Sequence, residues 1–163
     1  MSVRVSRRTK LQWLAGMEGG TQTRGILAST MSQENVELAR RALDAFHRRD
    51  KAAFLALCDP DYEWVPPADW PETAPVRGSE AVWAFLLELD EPWEAGTYEI
   101  AELFGCGGDK VVMHVRRHVR GKTSGVEADF DYWHVGTWRD GKGLRSEWFG
   151  DREAALQAAT RAE

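Results

Sequence analysis

Cysteine is scarce in this chain of 163 residues. Cys58 and Cys106 are far apart, in no spacing typical of a metal or redox site. The sequence therefore predicts neither a disulfide framework nor a thiolate metal site, and two unpaired thiols fit a cytoplasmic protein. Long apolar runs are missing as well, since no stretch approaches the length of a membrane span. We expect no membrane partner.

Positive charge is also in short supply. The chain has 21 Lys and Arg residues against 26 Asp and Glu residues, a formal net charge of −5. Basic residues are concentrated in residues 1–30, so residues 31–163 are more acidic than the whole chain. Binding to a phosphate backbone needs a basic surface, and nucleic acid is therefore not an expected partner.

Sustained periodicity is absent from the first thirty residues. Apolar residues begin to repeat at helical spacing only after Met31, in "MSQENVELARRALDAF". We expect residues 1–30 to be a disordered or artefactual extension, with a transit or export arm as the alternative. Residues 31–163 are expected to form one domain, which is long enough to bury its own core.

The remaining pattern predicts an α+β domain. Two helices come first, the second capped by Asp50, and a strand containing "YEWV" and a third helix after Ser79 follow. Four strand-like runs separated by turn residues come next, and Asp151 caps a final helix. Helices that precede a run of antiparallel strands are expected to pack on one face of the sheet.

One of these strands carries an unusual set of charges, "MHVRRHVRG" at residues 113–121. Alternation along a strand places His114, Arg116 and His118 on one face. If the turn "GKTSG" is centred near Thr123, even positions pair with even positions across the hairpin. Tyr132 and His134 then share the face of the three basic residues.

Several segments together resemble the SnoaL-like branch of the nuclear transport factor 2-like superfamily, over about residues 32–160. They are "LCDPDYEW", "VRGSEAVWAF" and "HVGTWRDGK", in that order. The resemblance implies a cystatin-like α+β roll, a cone in which a strongly curved antiparallel sheet wraps around N-terminal helices and leaves an apolar cavity. Polyketide cyclases, ketosteroid isomerases and limonene-epoxide hydrolases are relatives. The fold alone does not assign a function.

The resemblance also implies which residues face the cavity. Arg116 corresponds to the catalytic arginine of the hydrolases, and His118 to the aspartate that partners it. The last hairpin can close with a two-residue Asp-Gly turn, which reverses the pairing, or with a three-residue loop in which Gly141 is left-handed. The family pattern favours the three-residue loop, which places Ser146 and Trp148 on the cavity face. The acids of the isomerases correspond to Val65 and His134, so steroid isomerisation by the usual residues is not expected.

The candidate site follows from these placements. Histidine and arginine can transfer protons and stabilise an anion, so the expected catalytic residues are His134, Arg116 and His118. The expected ligand-binding residues are His114, Tyr132, Trp148, Trp64 and Ser146. No cofactor is expected. We do not expect a metal ion either, because His114 and His118 are about 13 Å apart along a strand and cannot both bind one ion.

Two functions stay open at this point. One is an acid–base enzyme, of isomerase, cyclase or hydrolase type, that acts on a hydrophobic, oxygenated ring compound. The other is a non-catalytic ligand-binding or accessory domain of the same fold. In both, the partner is a small hydrophobic molecule.

The opposite sheet face predicts a second partner. By the same pairing, it would carry one apolar patch made of Val111, Met113, Val115, Val119, Trp133, Val135 and Thr137. A patch of this size is larger than monomers usually expose, so we expect a homodimer through this outer face.

Overall fold

The computed structural model describes residues 22–71 and 74–161. Within them, the helices span Gln22–His47 (α1), Lys51–Leu57 (α2), Ser79–Asp90 (α3) and Arg152–Thr160 (α4). The strands span Cys58–Val65 (β1), Val76–Arg77 (β2), Thr97–Cys106 (β3), Lys110–Arg120 (β4), Glu127–Arg139 (β5) and Lys142–Phe149 (β6). The predicted residues 1–30 lie largely outside the described part of the chain.

The six strands form one sheet in the order β2-β1-β6-β5-β4-β3. Neighbouring strands are antiparallel except for β1 and β6, which run parallel. The predicted α+β fold class is confirmed, with a mixed sheet in place of a purely antiparallel one. Strand β1, the first in the chain, thus lies beside β6, the last strand, and runs in the same direction.

Local sequence determines where two of the four described helices begin. Asp50 and Asp151 accept hydrogen bonds from the backbone N–H groups of Ala53 (3.0 Å) and Ala154 (2.8 Å), so both predicted caps are confirmed. Ser79 is the first residue of α3 and not its cap, a position that Gly78 holds at φ 93°. Helix α1 begins at Gln22, nine residues before Met31, after which the sequence predicts helical spacing.

The sheet is buried on both faces. On one face, Ala39 and Leu43 of α1 pack against Val111, Met113 and Val115 of β4. We call this the cavity face. On the other, the outer face, α4 covers part of the sheet, and this cluster consists of Ala155, Ala158, Ala159, Val112, Trp133 and Val135. Helices therefore pack on both faces, and not only on one as the sequence predicts.

The pairing of β4 with β5 differs from the expected one. Met113 lies opposite His134 and Arg116 lies opposite Asp131, so odd positions pair with even positions. The connection between Arg120 and Glu127 is closed by a hydrogen bond from Gly121 N–H to the Val126 carbonyl (2.8 Å). A change of one residue in register moves a whole strand face to the other side of the sheet. The expectation that His114, Arg116 and His118 face the cavity is therefore wrong.

The hairpin between β5 and β6 places Trp148 on the predicted face of the sheet, but its turn differs from the predicted one. Asp140 (φ 51°) and Gly141 (φ 74°) form a two-residue turn of type I′, not the predicted three-residue loop. A bulge at Leu144 then adds the residue that restores the pairing. Trp148 consequently lies opposite His134, on the cavity face as predicted.

The corrected register also divides the predicted outer patch. Val111, Met113 and Val115 pack against α1 on the cavity face, whereas Trp133 and Val135 lie under α4 on the outer face. The expected single apolar patch does not form among the described residues. The homodimer through the outer face stays a prediction without this support.

Candidate ligand-binding site

A cavity of about 430 Å³ lies between the cavity face of the sheet and helices α1 and α3. Strands β1, β4, β5 and β6 contribute its walls, together with α1, α3 and the loop after β1. This volume is within the range of pockets that hold drug-sized molecules. The lining is mostly aliphatic and aromatic, with a few polar side chains.

Aromatic rings make up one end of the cavity. Trp64 of β1 and Trp148 of β6 have ring centroids 5.3 Å apart, and Trp70, in the loop after β1, lies 5.8 Å from Trp64 and 6.4 Å from Trp148. Tyr132 of β5 stacks on Trp148 at 4.6 Å. Trp64 of β1 pairs with Ser146 of β6. Because Trp148 is two residues after Ser146, it lies on the same face of the sheet as Trp64, and their rings meet.

His134 lies in the middle of this wall. Its ring is 4.8 Å from that of Trp148 and 5.3 Å from that of Tyr132, and its Nε2 has no hydrogen-bond partner among the described residues. Burial, with a smaller contribution from the nearby His47, lowers the pKa of His134 to about 3. The imidazole is therefore neutral at ordinary pH.

A charged cluster forms another part of the lining. Arg117 of β4 donates to Asp90, the last residue of α3, at 2.7 Å, and Arg49 binds the second oxygen of the same carboxylate. Burial on its own would raise the pKa of Asp90. The hydrogen bonds from Arg49 and Arg117 outweigh it and hold this pKa below its usual range.

Two tyrosine hydroxyls complete the polar lining. Burial raises the pKa of Tyr132 to about 12, although the positive charge of Arg117 acts in the opposite direction. Burial likewise raises the pKa of Tyr62, which lines the same cavity. Both phenols therefore stay protonated and act as hydrogen-bond donors to whatever the cavity holds.

The structure brings five of the eight predicted site residues together in the cavity wall. They are Trp64, Tyr132, His134, Ser146 and Trp148. The other three are on the outer face, where the charged side chains of β4 meet acidic residues of β5 directly across the pairing.

The three displaced residues have partners of their own. His114 stacks on Trp133 at 4.2 Å and is hydrogen-bonded to Asp131. Arg116 lies 3.4 Å from the same carboxylate, and His118 binds Asp129 at 2.8 Å. The hydrogen bond that Asp129 accepts from His118 raises the pKa of this exposed histidine. None of the three lines the cavity.

Sequence reasoning missed Arg117 and Asp90. The alternating acids of "ADFDYW" could have indicated Arg117, because opposite charges favour direct cross-strand pairs. Pairing Arg116 with Asp131 requires odd positions to face even ones, which turns Arg117 toward the cavity.

Two kinds of feature are absent from the part of the chain that the structure describes. No group of three or more His, Cys, Asp and Glu side chains there is arranged to hold a metal ion. No helix in those residues is long and apolar enough to cross a membrane.

Solved structures with the same fold include proteins that hold small ligands. TerC, co-crystallised with polyporic acid, is 27% identical over 78% of this chain and 99% of its own, with a TM-score of 0.61. A candidate SnoaL-like polyketide cyclase from Jannaschia sp. CCS1 is 21% identical over 83% of this chain and 97% of its own, with a TM-score of 0.67. A Mycobacterium tuberculosis protein in complex with estradiol-17β-hemisuccinate is 16% identical over 74% and 95%, with a TM-score of 0.62.

No curated protein matches this sequence. The family model of the SnoaL-like domain matches residues 39–145, which include β1 to β5, the first half of β6 and most of the cavity lining. The match spans well over half of the chain and agrees with the observed fold. The protein belongs to the SnoaL-like domain family.

Proposed function

We propose that this protein binds a small, flat and largely apolar ring compound in the cavity. The observation that carries the proposal is the aromatic wall of Trp64, Trp70, Trp148 and Tyr132 around a space of about 430 Å³. Aromatic rings offset or perpendicular to one another present faces on which another ring can stack. The polyporic acid complex of the 27% identical TerC supports a ring compound as the ligand.

Binding without catalysis is the form of the proposal that the polar residues favour. A general base works best when its pKa is near the operating pH, and the pKa of His134 is about 3. The two other residues expected to take part in acid–base chemistry, Arg116 and His118, are on the outer face. The cavity retains neutral donors and a paired arginine, which suit recognition of a ligand.

The test is calorimetric titration of the protein with methyl 2-naphthoate, a neutral two-ring compound. Wild type should bind it, and Ala42→Trp, which fills the cavity from α1, should weaken binding by about tenfold or more. Ala52→Trp, at an exposed position of α2, is the matched control and should bind like wild type. Equal affinity in both variants would contradict the proposal.

A further inference from the structure

We propose that the part of the cavity at Arg117 and Tyr132 binds an anionic oxygen of the ligand, a carboxylate or an ionised enol. This inference rests on the proposed function, because it concerns the same cavity. It adds the chemical class: the ring compound carries a negative charge at one end.

The first support is the balance of charge around Asp90. One carboxylate is shared by two guanidinium groups, those of Arg49 and Arg117. The cluster therefore has one positive charge in excess. The side chain of Arg117 is only 14% exposed, so bulk water screens its charge weakly.

The second support is the donor capacity of the cavity lining. Tyr132 lines the same cavity as Arg117, and its phenol stays protonated and can donate to a ligand. Arg117 has further N–H groups besides the one that binds Asp90. A guanidinium and a phenol in the lining of one cavity both offer hydrogen-bond donors, and such a pair matches a carboxylate better than a cation.

The charges that face Tyr132 agree with this geometry. Burial is the largest cause that acts on the pKa of Tyr132 and raises it to about 12. Among the charges, Arg117 lowers this pKa more than Asp90 raises it. Burial is also the largest cause at His47, and it lowers the pKa of this residue. Arg117 again has a larger effect on the pKa than Asp90. At both groups the positive charge of Arg117 therefore outweighs the negative charge of Asp90.

The other acids of the lining do not reverse this balance. Asp131 is held by His114 and Arg116 on the outer face, and Asp69 is exposed in the loop after β1. Arg145, the other arginine of the lining, is paired with Glu63 at 2.5 Å. Arg117 is therefore the cation best placed to meet a ligand.

The experiment compares 2-naphthoate with methyl 2-naphthoate, which share the ring and differ in charge, by calorimetry at pH 7.5. Wild type should bind the carboxylate about tenfold more tightly than the ester. Arg117→Gln should abolish this preference, and Tyr132→Phe should reduce it while leaving the Arg117–Asp90 pair intact. Arg116→Gln, one residue away on the outer face, should keep it.

The outcomes separate the two proposals. Equal or tighter binding of the ester by wild type would overturn the anion site and leave ring binding standing. A preference that survives in both Arg117→Gln and Tyr132→Phe would also overturn it. Binding of neither compound would contradict the proposed function itself. If Arg117→Gln does not fold because Asp90 loses its partner, the double variant Arg117→Gln with Asp90→Asn removes both charges and takes its place.

Discussion

At the scale of single residues, His134 shows how burial changes the chemistry of a side chain. An exposed histidine gains a proton near pH 6.5, but the pKa of this one is about 3. Between these values the unfolded chain binds a proton that the folded chain does not. The folded state is therefore most stable above pH 6.5, and it loses stability as the pH falls toward 3.

The low pKa of His134 predicts how the free energy of unfolding changes with pH. Between pH 7.5 and 5.5, His134 should cost the folded state about 1.4 kcal/mol, the equivalent of one pKa unit. His134→Phe removes the titrating group, so its free energy of unfolding should fall less over this interval. Urea denaturation at the two pH values measures both slopes.

His118→Gln is the control for this experiment. The pKa of His118 is raised by Asp129, so its protonation favours the folded state at low pH. Removing it should make the loss of stability on acidification steeper, the opposite of the effect at His134. Equal slopes in His134→Phe and wild type would show that His134 does not titrate as its burial predicts.

At the scale of elements, Asp90 holds three segments together. It is the last residue of α3, it binds Arg117 of β4, and it binds Arg49 in the left-handed turn (φ 59°) between α1 and α2. The end of α3 and the turn that follows α1 are thereby both held against β4, next to the cavity.

We predict that Asp90→Ala lowers the free energy of unfolding by about 3 kcal/mol. The loss leaves a largely buried Arg117 without its carboxylate, and the value is at the low end for a broken buried pair because Arg49 is half exposed. Equilibrium denaturation in urea measures it.

The comparison is Glu80→Ala, which breaks the exposed pair between Lys51 and Glu80. Exposed pairs contribute at most about 1 kcal/mol, so this variant should remain close to wild type. A similar small loss in both variants would mean that the Asp90 cluster does not stabilise the junction of these elements.

At the scale of the whole molecule, contacts of residues after Met31 dock α1 on the sheet. Ser32 of α1 lies directly against Gly105 of β3. A Cβ atom added to Gly105 would be 1.6 Å from the hydroxyl oxygen of Ser32, so any larger residue at position 105 would collide with α1. Asn35 donates to the Gly108 carbonyl at 3.3 Å. Both residues belong to the expected domain of residues 31–163.

We therefore predict that a chain starting at Met31 melts at the same temperature as the full chain. Helix α1 begins at Gln22, but the contacts named above lie beyond Met31. Thermal unfolding followed by circular dichroism compares the two chains. A melting temperature lower by several degrees would show that residues 1–30 stabilise the domain.

The sequence by itself determined the features that depend on neighbours in the chain. The caps Asp50 and Asp151 are correct because a cap bonds to a backbone group three residues away. The α+β order was readable because helical and strand periodicities differ. The segments that resemble the SnoaL-like family led to the fold that the structure and the family match confirm.

Only the tertiary structure decided which face of β4 lines the cavity. Strand periodicity separates two sets of residues, but it does not say which set faces inward, and a connection of six residues is compatible with either register. The side of the sheet that α4 covers was open for the same reason. Arg117 and Asp90 meet across 27 residues of chain. The meeting depends on the β4–β5 register and on the end of α3 together, and no local pattern contains both.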